Sequence, residues 1–309
     1  MSKQIDSNEK SIEIHLIEEK NLEIINGNRN NLLFEGENLF CLQFLEEDYK
    51  EKIDVICIDP PYNTGMISLT YDDNKFLDRN DSNNHNKWLT FIQKRFKASY
   101  ILLASEGVMF INIDEHEIAN LLLLCYDIFG KKNVDVLIWP KTDPVFDQNR
   151  IEKLFHNIKI VHEYILVCFK NKALITFNLI KSFDNQFRDM ETIMKGFGTT
   201  SSAKDELYKL FGDRNLFQTP KPMRLLKELV RAASKKDSII LDFFAGSGTT
   251  GHAVMDLNKE DGGDRRFILV NNNENEICRN ITYPRLKKVI EEEDYKENLK
   301  YFKLLRNKN

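Results

Sequence analysis

Residues 53–65 read Ile-Asp-Val-Ile-Cys-Ile-Asp-Pro-Pro-Tyr-Asn-Thr-Gly. The first six, Ile53 to Ile58, are mostly apolar and rich in β-branched side chains, as expected of a strand buried on both faces of a parallel sheet. Asp59-Pro60-Pro61-Tyr62 follows with no linker. Two prolines fix φ and remove two N–H donors, so the turn is stiff, its carbonyls stay free to accept bonds, and the tyrosine ring projects from a rigid base. Ligands of open α/β sheets bind outside the carboxyl ends of the strands, which is where this turn falls. On these residues alone, a proline turn that merely ends a strand remains open.

Outward from this strand, the pattern predicts alternating strands and helices. Strands are expected at Asn31–Phe34, Val108–Ile113, Val134–Trp139, Tyr164–Phe169, Ser238–Leu241 and Phe267–Val270. Helices are expected at Asn38–Leu45, Lys87–Leu103, Glu115–Phe129, Lys221–Ala233 and Thr249–Leu257. Asp72–Asn86, rich in Asp and Asn, reads as a mobile loop. The alternation predicts an α/β fold with a doubly wound, mostly parallel sheet. Five parts are expected: an N-terminal arm (1–30), helical or loose; a half carrying the proline turn (31–170); a small inserted lobe (171–212); a glycine-loop half (213–290); and a charged, helical C-terminal tail (291–309).

The second notable segment is Asp242-Phe243-Phe244-Ala245-Gly246-Ser247-Gly248-Thr249-Thr250-Gly251, between a strand and a helix. Gly246 and Gly248 allow a tight turn and a close approach of backbone to a ligand, Thr249 is placed to cap the helix, and Asp242 at the strand end suits a cationic ligand group. An ordinary glycine turn is the plainer alternative. A phosphate-binding P-loop is excluded, because His252 stands where lysine is required. The G-x-G-x-x-G spacing alone would admit a nicotinamide enzyme, but the next strand ends in Asn271-Asn272-Asn273, with Glu274 one step later, rather than in an acidic residue.

Composition is that of an ordinary soluble globular protein, 42% hydrophobic and 30% charged, with a net charge of −4. No apolar run is long enough to span a bilayer, and the polar N-terminus lacks a signal-peptide core, so the cytoplasm is expected. Five unpaired cysteines read as buried, reduced thiols, and the scattered histidines give no metal signature. From Lys170 to Lys236 there are 14 Lys/Arg against 7 Asp/Glu, and elsewhere 30 against 41. A basic middle on an acidic chain fits one face turned to nucleic acid, although a solvated helix face would look the same.

Together the two motifs resemble the amino-methyltransferases of DNA. Their order, D-P-P-Y first and the D-x-F-x-G-x-G-like segment near the end, is similar to the β-class, shared by type III restriction–modification methylases and related type II enzymes. The resemblance runs from about Asn31 to about Ile290. NLLFEGENL, KWLTFIQKRF, GVMFINIDEHE, VHEYILVCFKN, FQTPKPMRLL and FILVNNNENEI resemble further segments of that family. Glu37 stands where the family usually has Asp, and the segment between HEYILV and PKP is short for a type III recognition domain. A compact type II enzyme or a shortened subunit therefore stays open.

The resemblance implies S-adenosylmethionine as cofactor, held by Asp59, Thr219, Lys221, Asp242, Phe243, Phe244, Gly246, Ser247, Gly248 and Thr249, with Asn271 towards the ribose. It implies double-stranded DNA as substrate, with 171–212 as the target-recognition insert. A homodimer and a restriction endonuclease subunit stay open as partners. The catalytic residues would be Asp59, Pro60, Pro61 and Tyr62. An adenine amino nitrogen is a poor nucleophile because its lone pair is delocalised into the ring. Asp59 and the Pro60 carbonyl, each accepting one of its protons, would localise that lone pair, while Tyr62 stacks on the flipped base. On that reading Tyr62→Phe keeps much of the activity, and Gly248→Val blocks the cofactor's approach. N4 methylation of cytosine is the nearest rival, although those enzymes more often carry Ser where Asp59 stands. RNA as substrate and a catalytically silent DNA-binding subunit also stay open. C5 methylation is excluded, since no Pro-Cys pair supplies a nucleophile.

Overall fold

Ile53–Ile58 forms strand β4, and its side chains divide between two cores: Val55 and Cys57 join one, Ile56 and Ile58 the other. This alternation is the mark of a strand covered on both faces. The computed structural model describes residues 2–7, 10–64, 84–143 and 158–306. Most of the loop expected at Asp72–Asn86 lies outside these residues, and Asn84–Asn86 open a helix.

The described elements are β1 (Ser2–Ser7), β2 (Lys10–Glu18), β3 (Arg29–Glu35), α1 (Asn38–Tyr49), β4, α2 (Asn84–Leu102), β5 (Leu103–Ile113), α3 (Ile118–Phe129), β6 (Val134–Pro140), β7 (His162–Phe169), β8 (Ile180–Lys181), β9 (Phe187–Arg188), α4 (Thr200–Phe211), α5 (Met223–Ala233), β10 (Ile239–Asp242), α6 (Thr249–Asp261), β11 (Arg266–Asn271), α7 (Tyr283–Glu292) and β12 (Glu297–Arg306). Ten strands form one sheet in the order β1-β2-β12-β3-β11-β10-β4-β5-β7-β6. The central run from β12 to β5 is parallel, and both flanks are antiparallel. Helices α5, α6 and α7 supply one core, and α1, α2 and α3 the other, so the sheet is wound on both faces.

Both ends of the chain depart from expectation. Residues 2–7 and 10–18 are not a helix or a loose arm but the strands β1 and β2. The tail is not helical: α7 stops at Glu292, and β12 inserts between β2 and β3. Charge masked a period of two. In Ile14-His15-Leu16, isoleucine and leucine are buried around a half-buried histidine, and Glu297, Leu299 and Tyr301 of β12 are buried at alternate positions.

The segment 171–212 holds the β8–β9 hairpin and α4. Its Ile180, Met194 and Phe197 join the same core as α5. Its backbone is tied to that helix by a bond from Lys181 N–H to Glu228 Oε2 (2.6 Å) and by the Asn178 amide, which donates to the carbonyls of Arg231 and Ser234 (2.9 Å each). The five cysteines are free and buried, as expected. Among the described residues, no helix is long and apolar enough to cross a membrane.

Candidate active site

β4 and β10 are parallel neighbours, so their carboxyl ends bring Asp59 and Asp242 to one rim. β5, parallel to β4, ends there with Asn112 and Asp114. β7 runs the other way, so its first residues, His162 and Glu163, arrive at the same rim. A cavity of about 230 Å³ opens between these ends. Asp59, Pro60, Pro61, Tyr62, Thr219, Lys221, Asp242, Phe244, Gly246, Ser247 and Thr249 all line it. Phe243, Gly248 and Asn271 do not.

The polar centre of the cavity is an ion cluster. Lys221 Nζ lies 2.8 Å from both Asp59 oxygens and 2.8 Å from the Tyr62 hydroxyl. It is also 3.3 Å from Glu163 Oε2, and Lys141 Nζ is 3.6 Å from the other Glu163 oxygen. The Tyr62 hydroxyl donates to Asp59 Oδ1 at 2.5 Å, with Glu163 Oε2 3.2 Å away. Pro61 is held by the Trp88 indole, which donates to its carbonyl at 2.7 Å. Desolvation raises the Asp59 pKa despite the opposing pull of Lys221, and Glu163 adds to the rise. Burial alone would lower the Lys221 pKa, but Asp59 and Glu163 together outweigh it and hold the ammonium charged. Burial and the two carboxylates push the Tyr62 phenol well above its usual range.

These bonds revise the expectation for Tyr62. A ring needed only for stacking would tolerate loss of its oxygen, but here the hydroxyl orients Asp59. Tyr62→Phe is therefore expected to lose roughly tenfold or more in turnover, the order of one hydrogen bond to a charged group. Activity equal to wild type in an assay of the methyl transfer that the resemblance implies would restore the simpler stacking role.

Asp242 differs from Asp59 in having no cation beside it among the described residues. Its carboxylate accepts from the Phe244 N–H (3.0 Å) and the Thr250 hydroxyl (2.5 Å), both neutral donors. Burial raises its pKa to about 7. The loop after it is held from behind. The Asn38 amide donates to the Phe243 carbonyl (2.9 Å), and Asn271 Nδ2 (3.0 Å) and Thr282 Oγ1 (2.7 Å) both donate to the Gly246 carbonyl. Asn271 is thus placed as a support of the loop rather than as a cavity wall.

Two details of the loop differ from expectation. Thr249 does not cap α6; the N-cap is Gly248, and Thr249 Oγ1 bonds Arg285 instead. Gly248 has φ +78°, and a Cβ there would meet Thr282 at 3.2 Å, not the cavity. Glycine is required by backbone conformation and by packing on α7, so Gly248→Val would disturb the loop itself rather than block a ligand's approach. Gly246, at φ +49°, is the glycine on the cavity side, where a Cβ would come within 3.1 Å of the Phe217 ring.

Glu163, Lys141, Asn112, Asp114 and Phe217 were not singled out from the sequence. Each lies inside or next to a run that was. The available signal was a glutamate opening an otherwise apolar strand, Glu163-Tyr-Ile-Leu-Val-Cys-Phe.

Comparison with known proteins decides the family. The model of the DNA methylase family matches residues 53–282, most of the chain and both motifs. The chain belongs to this family. The StyLTI Mod subunit of a type III restriction–modification enzyme from Salmonella typhimurium is 30% identical, over 79% of this chain and 52% of that protein. The chain spans little more than half the length of the type III subunits StyLTI and EcoPI that it matches. The type II methyltransferase M.KpnI of Klebsiella pneumoniae is 25% identical over 88% of this chain and 87% of that protein. Among solved structures, the PvuII DNA methyltransferase, cytosine-N4-specific, superposes with a TM-score of 0.56 at 13% identity, covering 89% of this chain and 96% of that one. That similarity speaks for a shared fold.

Proposed function

We propose that the protein transfers a methyl group from S-adenosylmethionine to N6 of an adenine flipped out of duplex DNA, as the modification component of a restriction–modification system. The observation that carries this reading is one cavity walled by both the Asp59-Pro60-Pro61-Tyr62 turn and the Asp242–Thr249 loop. Membership of the DNA methylase family and the type III Mod relatives support it. A restriction endonuclease subunit and a second copy of this chain are the protein partners the reading admits.

The cavity fits the cofactor's chemistry. A buried carboxylate with only neutral donors, Asp242, suits a ligand that brings positive charge. The Gly246 backbone passes too close to Phe217 to carry a side chain freely. Asp242, Phe244, Gly246, Ser247, Thr249 and Thr219 would hold the cofactor, which supplies an electrophilic methyl on a sulfonium. Asp59 accepts one proton of the adenine amino group and the Pro60 carbonyl the other. For this, Lys221 must release an Asp59 oxygen, and Glu163, 3.3 Å from its ammonium, offers the alternative partner. The raised pKa of Asp59 suits it to take the proton that the amino nitrogen loses. No covalent enzyme–base intermediate is involved, so orientation and charge placement supply the rate.

Nucleoside mass spectrometry of DNA methylated by the protein tests the reading. N6-methyladenine is expected. N4-methylcytosine as the main product would move the chain to the rival reading, and no methylated base at all would leave the silent-subunit reading.

The DNA-facing side is proposed to include α4, within 171–212. The local excess of basic residues is smaller in space than in sequence. Among the described residues, eight of the 14 cations from Lys170 to Lys236 are ion-paired, six of them with acids from outside that stretch: Asp135, Glu260, Asp59, Asp256 and Glu106. Lys204 and Lys209 on α4 remain as candidates for pairing with phosphate. Replacing both with Glu is expected to weaken duplex binding and to reduce the slope of log affinity against log salt by about 1 for each phosphate that is no longer neutralised. An unchanged slope in a titration from low to moderate salt would place the DNA face elsewhere.

A further inference from the structure

Among the described residues, Arg285, on α7, is one of the largest side chains fully removed from solvent and the one cation in that group. Its guanidinium reaches three other elements. Nη1 donates to Ser247 Oγ (3.2 Å) and Thr249 Oγ1 (2.7 Å), Nη2 lies 3.4 Å from His252 Nδ1 on α6, and Nη2 is 3.5 Å from Glu206 Oε2 on α4. Its Nε has no partner among the described residues. Glu206 is bonded twice over, for the Met223 N–H at the start of α5 lies 3.2 Å from each of its oxygens. Met223 directly follows Thr219-Pro220-Lys221-Pro222, of which the first three line the cavity. Ser247 and Thr249, from the glycine loop, line the same cavity. A single ion pair therefore joins the two sides between which the cofactor is proposed to lie.

Fully burying a guanidinium is a poor way to gain stability, since apolar side chains of the same volume usually serve as well or better. A planar fork of donors does what apolar packing cannot: it fixes the direction of several oxygen acceptors at once. The backbone of the glycine loop is already held by Asn38, Asn271 and Thr282. The loop's hydroxyls, Ser247 Oγ and Thr249 Oγ1, lie 3.1 Å apart and share Nη1 of Arg285.

We propose that Arg285 and Glu206 are positioning residues for the cofactor: Arg285 orients the Ser247 and Thr249 hydroxyls, and its pair with Glu206 sets the spacing between the glycine loop and the Thr219–Lys221 wall. This rests on the cofactor assignment proposed above. Because Glu206 belongs to α4, the same pair joins the proposed DNA-facing helix to the cofactor loop.

Calorimetry with S-adenosylmethionine on the ligand-free protein tests it, together with initial rates of methyl transfer at varied cofactor concentration. Arg285→Met is expected to weaken cofactor affinity roughly tenfold or more, the order expected for losing charge-assisted bonds. Arg285→Lys should recover part of that loss, since an ammonium keeps the charge without the fork. Glu206→Gln, a milder change that carries the test should Arg285→Met fail to fold, should weaken affinity several-fold. In each variant KM for the cofactor should rise by a larger factor than kcat falls. Lower melting temperatures with wild-type cofactor affinity in the folded protein would make the pair purely structural and overturn the proposal. A wild-type protein that binds no S-adenosylmethionine would overturn the cofactor assignment as well, and is told apart by the missing wild-type affinity.

Discussion

Asp59→Ala is expected to reduce methyl transfer to DNA by about 10³-fold or more. Well-aimed acceptors and bases commonly contribute on the order of 10²–10⁴-fold each, and Asp59 is assigned both tasks. The ion cluster makes this substitution more than the loss of one acceptor. Lys221 and Tyr62 both bond Asp59, so without it the ammonium turns to Glu163, and the turn loses the group that orders it. Asp59→Asn separates the two effects in part, because it keeps one acceptor oxygen while removing the charge and the second acceptor. Its activity should fall between that of wild type and Asp59→Ala. Tritium transfer from labelled cofactor gives the rates, and a DNA-binding assay should show that Asp59→Ala still binds duplex. Wild-type rates in Asp59→Ala would place the catalytic site elsewhere.

Asp242→Asn is expected to stabilise the ligand-free protein at alkaline pH while impairing cofactor binding. The Asp242 pKa is raised from 3.8 to about 7, by burial first, against the bonds from Thr250 and Phe244. The native state therefore holds this proton more tightly than the unfolded chain does. The resulting stability is full below the unfolded value and is lost as pH rises through about 7, a change on the order of 4 kcal/mol at most. Asparagine stays neutral at every pH; its oxygen can keep the Phe244 N–H, and the Thr250 hydroxyl can turn to accept from its amide. The variant should therefore melt several degrees higher than wild type at pH 8.5, with a smaller gain at pH 5.5 and little below about pH 4, where both states hold the proton. Its affinity for S-adenosylmethionine should fall at least tenfold through loss of the charge facing the cavity. Equal melting temperatures at pH 8.5 would show that Asp242 ionises without cost and carries no unpaired charge into the site.

The parts of the site legible in the sequence were those with a local cause. Ile53–Ile58 announces a doubly buried strand by composition, and the two prolines that follow announce a rigid turn. Gly246 and Gly248 announce a tight loop, although which glycine faces the cavity depends on Phe217 and Thr282, residues far away in the chain. Glu163 was illegible for a different reason. It is the second residue of β7, and the start of that strand reaches the cavity rim only because the strand is antiparallel to its neighbour, which no local pattern encodes. The charge excess around 170–236 is smaller in space than in sequence, because most of the acids that pair with it come from elsewhere in the chain. β2 and β12 were obscured because their exposed positions carry charges dense enough to hide the alternation beneath.

The place of β3 in the sheet bears on how the chain is made. Its two neighbours are β11 and β12, so a nascent chain leaving the ribosome carries Arg29–Glu35 with both edges unpaired until residues beyond 265 have emerged. The half-sheet β4-β5-β7-β6 needs only residues 53–169 and can assemble long before. Synthesis should therefore pass through an intermediate with a formed proline turn, an open β4 edge and no glycine loop. Pairings of such long sequence separation form slowly and leave strand edges exposed to aggregation, so this interval is when the protein would most need a chaperone.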